Sequence, residues 1–61
     1  MKIIVNGDDL ETCKTTISGL LEELDIIGGR VAVEVNLQVI KKAEYESYEL
    51  HDGDSIECRI K

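Results

Sequence analysis

The clearest helical signal in this chain is a single apolar stripe. Ile17, Leu20, Leu21 and Leu24 fall at i, i+3, i+4 and i+7, which lines them along one face of a helix. Thr16 stands in front of them as an N-cap whose hydroxyl can accept an unpaired first-turn amide. Gly28, after Asp25-Ile26-Ile27, suits the left-handed position that ends a helix. Glu22, Glu23 and Asp25 crowd the negative end of the helix dipole, so packing of the leucine face must outweigh that repulsion. One amphipathic helix can cover only one face of a sheet. A two-layer α+β domain is therefore expected.

Strand patterns supply the other layer. Residues 2–6 (Lys-Ile-Ile-Val-Asn) read as a β-branched strand ended by Gly7-Asp8-Asp9, and Asn-Gly between apolar runs signals a hairpin. The return strand is expected over Leu10 to Lys14. Val31-Ala32-Val33-Glu34-Val35 alternates cleanly, with its valines on the core face. Val39-Ile40 makes a short partner beyond the Asn36-Leu37-Gln38 turn. Residues 41–50 have no clean period, and Tyr45, Tyr48 and Leu50 are expected to pin them to the core. Asp52-Gly53 marks a turn into the last strand, Ser55-Ile56-Glu57-Cys58-Arg59-Ile60. If the first and last strands pair in the middle, they run parallel, with the helix in the crossover. That arrangement is the β-grasp, or ubiquitin-like, fold: a mixed sheet of four to five strands packed on one α-helix, a single domain over residues 1–61.

Charge and composition narrow the function. Thirteen acidic against seven basic side chains give a formal net charge of −6, and Lys41-Lys42 is the only adjacent basic pair. Nucleic acid and anionic membranes call for clustered positive charge, so neither is an expected partner; a basic protein groove fits better. The apolar run at the start is too short for a signal peptide, and no segment reaches the length of a membrane span, which makes the cytoplasm the default location. Two cysteines and one histidine, His51, are too few and too scattered for a metal centre. No nucleophile–base pair or phosphate loop stands out, so an enzyme is not expected and no cofactor is called for.

Four segments carry a family likeness. They are Met1-Lys2-Ile3-Ile4-Val5-Asn6-Gly7, then Thr16-Ile17 through Leu20-Leu21-Glu22-Glu23-Leu24, then Gly29-Arg30-Val31-Ala32-Val33-Glu34-Val35-Asn36, and finally Leu50-His51-Asp52-Gly53-Asp54-Ser55-Ile56-Glu57. In this order they resemble the thiamine-biosynthesis sulfur carrier (ThiS) family. The resemblance implies a carrier for thiazole formation whose C-terminal glycine is adenylated by an E1-like enzyme. Sulfur then replaces the adenylate, and thiazole synthase consumes the thiocarboxylate. A Gly-Gly tail suits this chemistry because glycine, without a Cβ, can thread a narrow channel.

Two positions depart from that pattern. Cys58-Arg59-Ile60-Lys61 does not match a Gly-Gly tail, so no reactive residue carries over to the C-terminal end at Lys61. Two readings follow: a ThiS-like sulfur carrier whose tail lies beyond Lys61, or a tailless β-grasp interaction module that transfers no sulfur. At the second position Leu37 stands where the family usually has glycine. A type I′ turn there would force Leu37 to positive φ, costing about 1–2 kcal/mol, so a different or longer turn is expected.

Candidate binding residues come from strand alternation. With Ile3, Val5, Val31, Val33, Val35, Ile56 and Cys58 under the helix, the outer face carries Lys2, Ile4, Ala32, Glu34, Glu57 and Arg59. The resemblance implies that such a face docks partner enzymes, which singles out Ile4, Ala32, Glu34, Glu57 and Arg59. Cys13 and Cys58 flank the first strand in a β-grasp sheet, about 10 Å apart at ~4.8 Å per strand, beyond the roughly 7 Å that a disulfide allows. Both read as unreactive thiols in strands. His51-Asp52-Gly53-Asp54 and Asp8-Asp9 read as turns and not as calcium loops. Glu22, Glu23, Asp25, Glu44, Glu46 and Glu49 read first as solvated carboxylates and second as contacts for a basic groove.

Overall fold

A computed structural model describes residues 1–26 and 31–60 of the chain. Strand β1 (Lys2–Val5) turns back into β2 (Asp8–Glu11) through Asn6 and Gly7, whose φ angles of 50° and 87° match the tight type I′ hairpin. The return strand is therefore not Leu10–Lys14. A two-residue turn pairs Val5 with Asp8, so both aspartates enter the ladder, which runs to Lys2↔Glu11 and closes on the backbone bonds between Met1 and Thr12. Leu10 still lies opposite Ile3, on the core side.

Helix α1 (Ile17–Glu23) begins as its sequence dictates, with Thr16 Oγ1 accepting the Gly19 amide at 3.1 Å. Its end comes earlier than the expected stop at Gly28, which lies outside the described residues. Asp25 takes the left-handed conformation (φ 59°), its amide donates to Glu22 O, and the Ile26 amide donates to Leu21 O at 2.9 Å. Those two bonds form a Schellman closure, and Asp is among the few non-glycine residues that tolerate it.

Strands β3 (Val31–Val35) and β4 (Gln38–Ile40) form the second hairpin. Its turn is the strained one: Asn36 has φ 51° and Leu37 φ 71°. The expectation of a longer turn fails because Asn36 is fixed from β5. Its backbone amide donates to Ser55 O, its Nδ2 donates to Asp54 Oδ1 at 3.1 Å, and its Oδ1 accepts the Ser55 amide at 3.0 Å. With Val35 already paired to Gln38, Leu37 must complete a two-residue loop.

The irregular stretch that follows holds a 3₁₀ turn (Lys42–Glu44) and is pinned as expected. Tyr45 is buried and its hydroxyl donates to Val31 O at 3.1 Å, while the Leu50 amide donates to Thr15 O. Gly53, at φ 90°, then turns the chain into β5 (Ser55–Ile60). The sheet order is β2-β1-β5-β3-β4. β1 and β5 lie side by side and parallel, with Ile4↔Ser55 and Val5↔Ile56, and β5 runs antiparallel to β3. Ile3, Ile17, Leu20, Val33, Val35 and Ile56 are fully enclosed between helix and sheet, with Leu21, Ile40, Tyr45 and Leu50 around them. Leu24, Val5, Val31 and Cys58 close the rim of this core.

Candidate functional site: the uncovered sheet face

Because α1 fills one side of the sheet, alternate residues of the central strands have no layer above them among the described residues. Residues directly opposite in a ladder share a face. The pairs Ala32↔Arg59 and Glu34↔Glu57 place four of the candidate residues together, and Ile4↔Ser55 brings in the fifth. The sheet thus gathers Ile4, Ala32, Glu34, Glu57 and Arg59 on one side. Lys61 lies outside the described residues. Ile4, Ala32, Glu34 and Glu57 are half-buried by their neighbours, and Arg59 is exposed.

Two further apolar residues are exposed at the β3–β4 hairpin. Val39, opposite Glu34, is 72% exposed, and Leu37 in the adjoining turn is 90% exposed. Alternation from the buried Ile40 would have placed Val39 on this face. Leu37 could not be placed without the turn type.

The charges on the face are weakly tied. Arg59 Nη2 is 3.8 Å from Glu57 Oε2, and at the other edge Lys2 Nζ is 3.9 Å from Asp9 Oδ2. Both pairs are exposed to solvent, so each contributes little to stability and can exchange its partner for another protein's charges. The first hairpin also reaches toward β5, where Asn6 Oδ1 accepts the Cys58 amide at 2.9 Å. Both hairpin asparagines therefore brace the strand at the centre of the face.

Other candidate chemistry is dispersed. Cys58 is half-buried, and burial, assisted by the Glu57 carboxylate, pushes its thiol pKa above the ordinary value. Such a thiol is a poor nucleophile near neutral pH. Cys13 lies exposed beyond the end of β2 and not in a strand as expected, because β2 stops at Glu11. Among the described residues no three His, Cys, Asp or Glu side chains gather as a metal site. An open groove of about 340 Å³ runs between the first hairpin and the end of α1, lined by Val5, Asn6, Asp8, Asp9, Leu10, Leu24 and Ile26. The His51–Gly53 segment is a turn held by Asp54, whose Oδ2 accepts the His51 amide at 2.8 Å. The acidic side chains at the end of α1 are exposed, yet the Glu23 carboxylate has a specific donor in Thr12 Oγ1. No helix among the described residues is long and apolar enough to cross a membrane.

A mixed five-stranded sheet with a parallel central pair, one helix on one side and an uncovered opposite side defines a β-grasp protein. The model of the ThiS family matches residues 2–57, and the chain belongs to that family. The crystal structure of the thiamine biosynthesis protein ThiS from Geobacter metallireducens superposes with a TM-score of 0.88 at 25% identity, covering 100% of this chain and 94% of that one. A solution NMR structure of a thiamine biosynthesis protein from the same organism gives a TM-score of 0.78 at 26% identity, over 93% of this chain and 78% of that one. A thiazole synthase from Paramagnetospirillum magneticum is 36% identical over 58 residues, 93% of this chain. The chain spans only 18% of that synthase's length.

Proposed function

We propose that this protein is a sulfur carrier in thiamine biosynthesis, which delivers its cargo to a thiazole synthase. The observation that carries the reading is the match of the ThiS family model across residues 2–57, on a fold shared with ThiS over the whole chain. The segment of similar sequence within a thiazole synthase supports that partner, since it joins a carrier-like domain to synthase sequence in one protein. The family chemistry needs a C-terminal carboxylate that an E1-like enzyme adenylates and a sulfur donor converts to a thiocarboxylate. The carrier is then a delivered substrate and not an enzyme, it works in the cytoplasm, and it needs no cofactor of its own.

Docking falls to the uncovered face. Ile4 and Ala32 give it an apolar centre, and Glu34, Glu57 and Arg59 give it a charged surround suited to recognition by charge. The protein's net charge of −6 favours basic partner grooves.

Intact-mass measurement tests the reading. The full-length protein is incubated with its activating enzyme, ATP and a sulfur donor, and a gain of sulfur for oxygen at the C-terminus is expected. An unchanged mass removes the carrier function and leaves an interaction module without transfer. An Ala32→Asp variant, folded by circular dichroism, is expected to accept sulfur more slowly. Native rates in that variant count against docking through this face.

A further inference from the structure

Leu37 combines two unfavourable features at one position. Its φ of 71° is a left-handed conformation that a branched side chain rarely adopts, and its side chain is 90% exposed. Glycine would complete the same two-residue turn with neither strain nor exposed apolar surface. Folding alone therefore gives no reason for leucine here. Val39, 72% exposed and opposite Glu34, lies two residues beyond Leu37 on the uncovered face. Strained residues that persist in a fold cluster where recognition holds them.

We propose that Leu37 and Val39 anchor this protein in an apolar pocket, rimmed by basic side chains, on its thiazole synthase partner. This inference rests on the sulfur-carrier reading and adds a contact specific to this chain. Charge selects the kind of partner. Glu34 and Glu57 lie on the same face as Val39, and Arg59, 3.8 Å from Glu57, offsets only part of that charge. The basic pair Lys41-Lys42 follows the opposite end of β4 from Leu37. A second copy would bring the same acidic surround and the same net charge of −6 to the contact, so self-association is disfavoured and a basic rim is complementary.

The test titrates the thiazole synthase of the same organism with the full-length protein by calorimetry, using the native form and the Leu37→Gly, Leu37→Met and Val39→Lys variants. Leu37→Gly is expected to melt no lower than the native protein, because it relieves the strained turn, yet to bind at least about tenfold more weakly, the loss expected for one buried leucine side chain. Val39→Lys is expected to weaken binding by a similar factor, and Leu37→Met to stay within about threefold because it keeps the apolar side chain. Affinity of the native form is expected to fall as salt rises. Native affinity in Leu37→Gly overturns the anchor while leaving the carrier function, judged separately by intact mass, untouched. A native protein that gains sulfur but does not bind the synthase overturns the anchor as well, and salt-independent binding overturns the basic rim.

Discussion

The buried hydroxyl of Thr12, just past the end of β2, donates to the carboxylate of Glu23 in the last turn of α1. The same oxygen accepts the Lys14 amide at 3.0 Å, so one side chain ties hairpin, connection and helix together. Glu23 lies where the helix dipole disfavours negative charge, and the Thr12 donor compensates for that placement. Replacing Thr12 with valine should lower stability by about 1–2 kcal/mol, since it removes a hydrogen bond to a charged group and leaves the Lys14 amide to water. Glu23→Gln should cost less, because the amide oxygen can still accept. A double-mutant cycle read by urea unfolding should give a coupling energy of roughly 0.5–1.5 kcal/mol. Strict additivity would mean that the contact adds nothing to stability.

This contact also marks where the sequence stops being informative. The parallel pairing of β1 and β5, the Thr16 cap and the enclosure of Ile3, Val33, Val35 and Ile56 follow from alternation, helical spacing and one connectivity rule. These features are local or periodic, so the residues themselves announce them. Glu23 finding Thr12, Asn36 bracing Ser55 and Asn6 bracing Cys58 depend on distant segments meeting, which no window of sequence contains. The two misread boundaries have the same origin. At β2 the turn register outweighed the strand pattern, and at α1 Asp25 supplied the left-handed step expected of a glycine. The face bearing Ile4, Ala32, Glu34, Glu57 and Arg59 was legible from period two, but Leu37 was not, because its exposure depends on a turn type that its own side chain disfavours.

Leu21 tests the helix–sheet interface. It is 8% exposed and belongs to the cluster formed by Ile17, Leu20 and the inner valines. Leu21→Ala should destabilise by about 2–5 kcal/mol through lost burial and an unfilled cavity. In a chain of 61 residues, that is a large fraction of the total stability expected of a small domain. Thermal unfolding should show a drop of ten degrees or more, taken as an order-of-magnitude figure from about 4–8 °C per kcal/mol. A melting temperature within a degree or two of the native value would remove Leu21 from the core.

Asn36 is the counterpart of Leu37 in the turn, and its replacement separates bracing from strain. Asn36→Ala removes the bond to Asp54 Oδ1 and the acceptor for the Ser55 amide, and it places alanine at φ 51°. A loss of about 1–3 kcal/mol is expected from the bonds and the left-handed conformation together. Amide exchange should quicken first at Ser55, whose donor loses its partner. Unaltered protection there would mean that the side-chain bond does not hold in solution.

The two thiols should behave differently, and their difference has a pH consequence. Cys13 is exposed, whereas Cys58 is half-buried in β5 with its pKa raised by burial and then by Glu57. At mildly alkaline pH iodoacetamide should therefore label Cys13 first and Cys58 only slowly, as followed by peptide mass. The raised thiol pKa means that the folded protein holds the Cys58 proton more tightly than the unfolded chain does. Its contribution to stability is complete below the unfolded thiol pKa and is lost as pH climbs through the folded value. Cys58→Ala should lower stability at neutral pH by removing a packed side chain, and it should flatten the alkaline decline. An equally steep alkaline decline in the variant, or faster labelling of Cys58 than of Cys13, would show that the β5 thiol is open to solvent.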